Sequence, residues 1–283
     1  MVRSLPWGAG IATLILLSCS SKDDSTGTVT SDAGADTGSI IPSAEWSPHQ
    51  LRPAFWLGEI IEESGGFVTK WVDSTANHND AVPAGSNSEM MVQSVLIAGH
   101  KALRLGYGFD NFSSVLIKDS PSLHWGTDDF VIFIEFRYDL VPILDGGSID
   151  IVTIAQKTKK NDGPGYSGWW ISTAPPSYTL GVDLSKEFRL ETKGDYPENV
   201  MHSAVMIRRG ADLLFRVDGT VVSKTKVNPV DVSAPGIDVS VGGHASDQRW
   251  FRGDIAALLG VHGTVTDEDI SKTENYFRSI YGP

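Results

Sequence analysis

The chain is 283 residues long, with 41% apolar and 20% charged residues and a formal net charge of −12. That length supplies one large or two small domains with a sizeable core. The acidic balance offers no basic stripe to neutralise phosphates, which excludes nucleic acid as an expected partner and attraction to an acidic bilayer by charge alone.

At the N-terminus Arg3 precedes an apolar run from Trp7 to Leu17. It is too short to cross roughly 30 Å of hydrocarbon as a helix and has the pattern of a secretory signal peptide. The run ends Leu16-Leu17-Ser18-Cys19, which resembles the bacterial lipobox. The resemblance implies cleavage before Cys19, acylation of its thiol and of its freed amine, and an envelope lipoprotein. Several acyl chains at about 0.8 kcal/mol per buried methylene make a stable anchor where one is marginal. Ser20 follows without an aspartate retention signal, which in an enteric-type sorting system implies the outer membrane. The alternative is a stray thiol in an ordinary signal peptide. Cys19 is the single cysteine, so no disulfide within the chain supports the fold.

Residues 20–44 are dominated by Ser, Thr, Gly, Ala and Asp, with no aromatic before Trp46. Such a segment cannot bury enough surface to offset its ordering entropy, and as a flexible tether it reaches roughly 30 Å. The expected division is a signal peptide over 1–18, the lipidated cysteine and linker over 19–46, and one folded domain over 47–283.

Within that domain Phe55–Leu57 and Phe67–Asp73 read as strands around a Gly65-Gly66 turn, followed by a polar loop from Ser74 to Ala81. Lys101–Leu105 follows. Asp129–Arg137 is the clearest strand: Phe130, Ile132, Ile134 and Phe136 face one side, and Val131 and Phe133 the other until the charges begin. Short β candidates then run Ser148–Gln156, Gly168–Ser172, Tyr178–Leu184, Phe188–Lys193, Ser203–Arg208, Leu213–Val217 and Val239–Gly243. Asp218-Gly219 is a two-residue hairpin signal before Thr220–Val222. An apolar strand from Asp254 to His262 leads to Thr266-Asp267-Glu268-Asp269, a helix start with a capping hydroxyl and acids near the positive end. Ile270, Phe277, Ile280 and Tyr281 then share one helical face, and Gly282 supplies a stop. About a dozen strands with turns, one terminal helix and no βαβ alternation predict an all-β antiparallel sandwich.

Three segments carry a family resemblance. Trp56 with Trp71, Asp73, Asn77, Asn79, Asp80 and Ala81 matches the opening W-L-D…V-x-x-W-x-D-x-S-G-N-G-N-D-A of bacterial laminin-G-like (concanavalin A-like) jelly-roll domains. Lys101–Phe112 is similar to that family's P-A-L-R-F-D-G-x-D-D-Y-L, with Asp110 kept. The ending from Phe251 resembles F-x-G-D-I-A-E-V…L-S-x-x-E…Y-L…K-Y-G. Gly58, Thr75-Ala76 and His78 depart from the pattern. The resemblance covers roughly Pro53 to Gly282 and implies a jelly roll with a short C-terminal helix. It also implies calcium, a cation of hard oxygen ligands, for which the residues here are Asp73, Asn77, Asn79, Asp80 and Asp254. The alternative is that Asp73 and Asp254 hold loops through side chain-to-backbone hydrogen bonds.

Catalysis has little support. Retaining glucanases of the superfamily carry E-x-D-x-x-E, with two carboxylates about 5–5.5 Å apart; the nearest match has Ser148 and Thr153 around Asp150, and a hydroxyl replaces neither nucleophile nor proton donor. The seven histidines show no H-E-x-x-H and no zinc spacing. For binding, Trp169 and Trp170 beside Tyr166 stand out: adjacent strand residues point oppositely, so one indole is expected to present a face for stacking on a sugar or anchoring a protein contact, the alternative being plain packing. The expected function is therefore non-enzymatic: a lipid-anchored sandwich that binds glycan or protein. The other readings are a structural or assembly component of an envelope complex and a divergent glycoside hydrolase.

Overall fold

The computed structural model describes residues 46–84, 92–106, 113–139, 152–158, 167–174, 179–185, 188–194, 196–243 and 250–282, which lie in one compact unit spanning Ala44–Pro283. The strands are β1 (Phe55–Ser64), β2 (Phe67–Asp73), β3 (Ala81–Pro83), β4 (Gln93–Ile97), β5 (His100–Leu105), β6 (Val115–Ile117), β7 (Phe130–Tyr138) and β8 (Val152–Thr158). They continue as β9 (Gly168–Ala174), β10 (Thr179–Leu184), β11 (Phe188–Glu191), β12 (His202–Arg209), β13 (Asp212–Val217), β14 (Thr220–Lys226), β15 (Val239–Val241) and β16 (Gly253–His262), before helix α1 (Asp267–Tyr281).

Every strand pairing among the described residues is antiparallel. The hydrogen-bonded path runs β11-β10-β9-β8-β15-β6-β3-β2-β1-β16-β7-β12-β13-β14, with the β4–β5 hairpin joined to β16. β1 is the corner: it pairs with β16 through Phe55 to Leu57 and with β2 from Leu57 to Ser64, its register shifting twice on the way. Such irregularities bend a strand and let it pass between layers. Side chains from both ends of the path then meet in one core, where Trp169, Ile171 and Val182 join Ile134, Phe136, Met206 and Phe215. This is the expected antiparallel jelly-roll-type sandwich.

β7 shows how the sequence builds the second packing face. Phe130, Ile132, Ile134 and Phe136 enter the inter-sheet core, while Val131 and Phe133 turn outward against α1. The alternation continues past the expected end, so Glu135 is buried on the helix side. There Ile270, Phe277 and Tyr281 cover Val205, Ile207, Leu259 and Val261. The helix starts as expected: Thr266 Oγ1 accepts from the Asp269 amide at 3.1 Å, and Asp267, Glu268 and Asp269 fill the first turn. Gly282 ends it at φ 83°, a left-handed position that favours glycine. The Asp218-Gly219 turn has φ of 50° and 82°, positive at both positions as a tight hairpin between twisted strands requires.

Candidate functional site

The early polar loop is organised by one carboxylate. Asp73 Oδ1 accepts from the amides of Trp56 at 2.8 Å and Thr75 at 3.0 Å. Its Oδ2 accepts from the Thr75 hydroxyl at 2.8 Å and the Asn79 amide at 2.7 Å. Asp80 Oδ1 returns to the Asp73 amide at 2.9 Å, and Oδ2 lies 3.7 Å from Lys70 Nζ. Asn77 and Asn79 both donate to the Ala54 carbonyl, at 2.9 and 2.8 Å. Asn79 also donates to Ser122 and accepts from Ser120, each at 2.8 Å.

Four of the five expected calcium ligands are thus brought together, but the fifth is not. Asp254 is fully buried and receives Arg104 through Nε and Nη2, at 2.6 and 2.8 Å, and Arg137 Nε at 2.6 Å. Asp73 stands opposite Leu57, and Leu57 opposite Leu258. Two strand spacings and four residues therefore separate Asp73 from Asp254, about 16 Å by strand geometry. Calcium needs six to eight oxygens around one point. Here both Asp73 oxygens already accept two donors each and Asp254 lies between two guanidiniums, so this residue set does not fit the ion. Among the described residues no group of three or more His, Cys, Asp or Glu is arranged to hold a metal.

The tryptophan pair also differs from expectation. The two indoles do point to opposite faces, Trp169 into the inter-sheet core, but both are buried, at 1% and 6% exposed. Trp170 Nε1 donates to Thr153 Oγ1 at 3.0 Å, and Trp170 lies between Gln156 on β8 and Asp183 on β10. Neither presents an open stacking face: Trp170, flanked by Thr153, Gln156 and Asp183, is buried in a way that the alternation pattern alone does not reveal. Thr153, on the would-be catalytic strand, is the acceptor for Trp170. Cys19, Tyr166, Asp110, Ser148 and Asp150 lie outside the described residues.

The accessible aromatic site lies between β1 and α1. A groove of about 230 Å³ is lined by Trp56, Glu59, Ser74, Tyr276, Ile280 and Tyr281. Trp56 and Tyr276 meet edge-to-face, with ring centroids 6.0 Å apart and planes crossing at 76°; both are half-buried. His49 packs on the indole at 4.5 Å. Gly58 leaves room for the ring, since a Cβ there would lie 3.2 Å from Trp56 Nε1; that N–H is buried and has no partner. Glu59 accepts from His100 Nδ1 at 2.9 Å, and His100 packs edge-on against Tyr281 at 6.1 Å. Burial and the nearby carboxylates of Glu59 and Glu135 push the Tyr281 hydroxyl's pKa up, so it stays a neutral phenol. The Asp73 hub holds this wall in place: it takes the Trp56 amide, while the Ser74 amide donates to the Trp56 carbonyl at 2.8 Å. Ile60, 54% exposed, stands at the rim.

Trp56, a matched position, and Tyr281, on the helix face, are legible in the sequence, whereas the groove is not, because its two walls come from opposite ends of the domain.

No protein-family model and no curated protein matches the chain. Solved structures do. The binding domain of botulinum neurotoxin serotype G aligns at TM-score 0.58 and 18% identity over 80% of this chain and 51% of that one. The binding domain of Paraclostridial Mosquitocidal Protein 1 aligns at 0.57 and 16% over 81% and 55%. Domain 4 of AbnA, an extracellular arabinanase from Geobacillus stearothermophilus solved in complex with arabinotriose, aligns at 0.53 and 13% over 72% and 92%. The chain spans about half the length of the two toxin domains. At these identities the likeness establishes the fold alone: an antiparallel β-sandwich of jelly-roll type closed by a C-terminal helix.

Proposed function

We propose that this domain is a non-catalytic recognition module that binds a glycan in the groove between β1 and α1. We further propose that a lipidated Cys19 holds it on a bacterial envelope, with the outer membrane as its address. One observation carries the reading of the site: Trp56 and Tyr276 form a solvent-open aromatic corner with the Glu59 carboxylate and the Ser74 hydroxyl beside it. Aromatic faces take the C–H faces of a sugar ring, and a few placed polar groups fix its hydroxyls. The arabinotriose bound to the similar AbnA domain supports a glycan as ligand.

A glycan array, followed by pull-down with cell-wall polysaccharide, tests this. The full chain is expected to bind a discrete set of glycans, and Tyr276→Ala to weaken that binding at least about tenfold, the equivalent of about 1.4 kcal/mol. No saturable glycan binding, or binding untouched by Tyr276→Ala, overturns the reading. Cys19→Ser is expected to abolish lipid labelling; retained labelling overturns the anchor.

A further inference from the structure

The opposite flank of α1 covers a second pocket. About 300 Å³ of space lies beneath the helix end, walled by β7, β12 and the β13–β14 turn, with Glu135, Met201, Ser203, Asp218, Glu274 and Arg278 among its lining residues. Glu135 and Ser203 face each other across the β7–β12 pair. They are 4% and 8% exposed; neither Glu135 Oε1 nor Ser203 Oγ makes a hydrogen bond of good geometry, and the Ser203 hydroxyl acts on the carboxyl only as a weak neighbour. Buried polar atoms left in this state cost about 1–3 kcal/mol each, and protein interiors rarely hold them without a reason.

The two other carboxylates of the lining are already paired. Asp218 accepts from the Ser203 amide at 2.9 Å and from His202 Nδ1 at 3.0 Å. Glu274 takes Arg216 through Nε at 3.1 Å and Nη2 at 2.7 Å, and Arg278 donates to Asn275 at 3.0 Å. Burial pushes the Glu135 carboxyl well above the usual carboxylate range, the Asp218 and Glu274 charges push the same way, and Ser203 and Arg278 only partly oppose them. What the pocket offers is a carboxyl whose proton burial helps to hold and a hydroxyl side by side, groups able to donate and to accept, with a thioether wall at Met201.

We propose that this pocket is a second, separate ligand site that takes a small neutral polyhydroxylated molecule of about one sugar ring. Vicinal hydroxyls would bond to the Glu135 carboxyl and the Ser203 hydroxyl. A volume at the low end of the range for small-molecule sites, about 300–1,000 Å³, suits one ring rather than a chain. The side chain of Asp218, 44% exposed, and Val200, 39% exposed, mark its mouth. The inference does not depend on the groove beside Trp56.

The test is amide chemical-shift titration of the full chain with methyl α-glucoside, methyl α-galactoside, methyl α-mannoside and myo-inositol, and with methylammonium as a cationic probe. At least one neutral probe is expected to give saturable shifts at Met201, Ser203 and Gly282. Ser203→Ala is expected to weaken it about tenfold, as for one lost hydrogen bond. Leu96→Ala, at an exposed position that lines neither pocket, should retain binding. Binding should weaken as rising pH removes the Glu135 proton. The other titratable and charged groups around that carboxyl are His202, Asp218, Arg216, Glu274, Arg278 and Tyr281. No saturable shift from any neutral probe overturns the proposal. So does methylammonium saturating the pocket with loss of its binding in Glu135→Gln.

Discussion

Lys157 Nζ lies 2.5 Å from Asp119 Oδ1 and also donates to the carbonyls of Ala234 at 3.3 Å and Ile237 at 2.6 Å. One buried ammonium on β8 thus holds together two loops of the sandwich. Burial alone would raise the Asp119 pKa, but hydrogen bonds from Lys157, the Gly236 amide and His124 bring it down to about 2. Burial also lowers the pKa of Lys157, against the pull of Asp119.

Removing the Asp119 charge leaves that ammonium buried without a counter-ion. Asp119→Asn is expected to cost about 3–5 kcal/mol, measured by urea unfolding. The pH dependence follows from the depressed carboxyl. Its contribution is complete above the unfolded-state value near 4 and is lost as pH falls through about 2, so wild type should lose more stability over that window than Asp119→Asn.

Asp73→Ala strands the amides of Trp56, Thr75 and Asn79, each of which the carboxylate now accepts. A loss of about 3 kcal/mol or more is expected, together with weaker glycan binding because Trp56 loses its tether. Since both oxygens are occupied, calcium or a chelator should leave the wild-type Tm unchanged. A rise of several degrees with calcium would show that the loop opens to an ion.

Glu135 works in the other sense. Its folded-state pKa is raised, so its effect is most favourable below the unfolded-state value near 4.3, and stability falls as pH rises toward the folded-state value. Glu135→Gln should flatten that decline and raise Tm at neutral and alkaline pH. An unchanged pH profile would show that the carboxyl is ionised in the folded protein.

Trp169→Ala and Trp170→Ala should each cost about 3–5 kcal/mol, the range for emptying a large aromatic site, because both rings are buried. Their melting curves decide whether any loss of binding in these variants is local. An unchanged Tm for Trp170→Ala would show that the indole is open to solvent.

The elements legible in the sequence were those with long periodic signals. β7 places its apolar residues on two alternating faces, β16 is one long apolar run, and α1 begins at a hydroxyl followed by acids. β3 and β6 have three residues each, too few for a period to show, and they exist because neighbouring strands supply partners. The strand over Asp129–Arg137 is legible, but the burial of Glu135 is not: only pairing with Ser203 and the cover of α1 keep that outward position from solvent. At the early loop the residue types were readable, whereas the saturation of the Asp73 oxygens depends on three-dimensional closure. The groove was unreadable for the same reason, since Trp56 and Tyr276 meet only when α1 packs back on the first strand.

The most direct test of glycan recognition beside α1 is a crystal structure of the domain soaked with the highest-affinity oligosaccharide from the array. The account predicts a sugar ring stacked in the corner of Trp56 and Tyr276 with a hydroxyl bonded to Glu59. A sugar bound instead across β8 to β11, with the Trp56 groove empty, would contradict it.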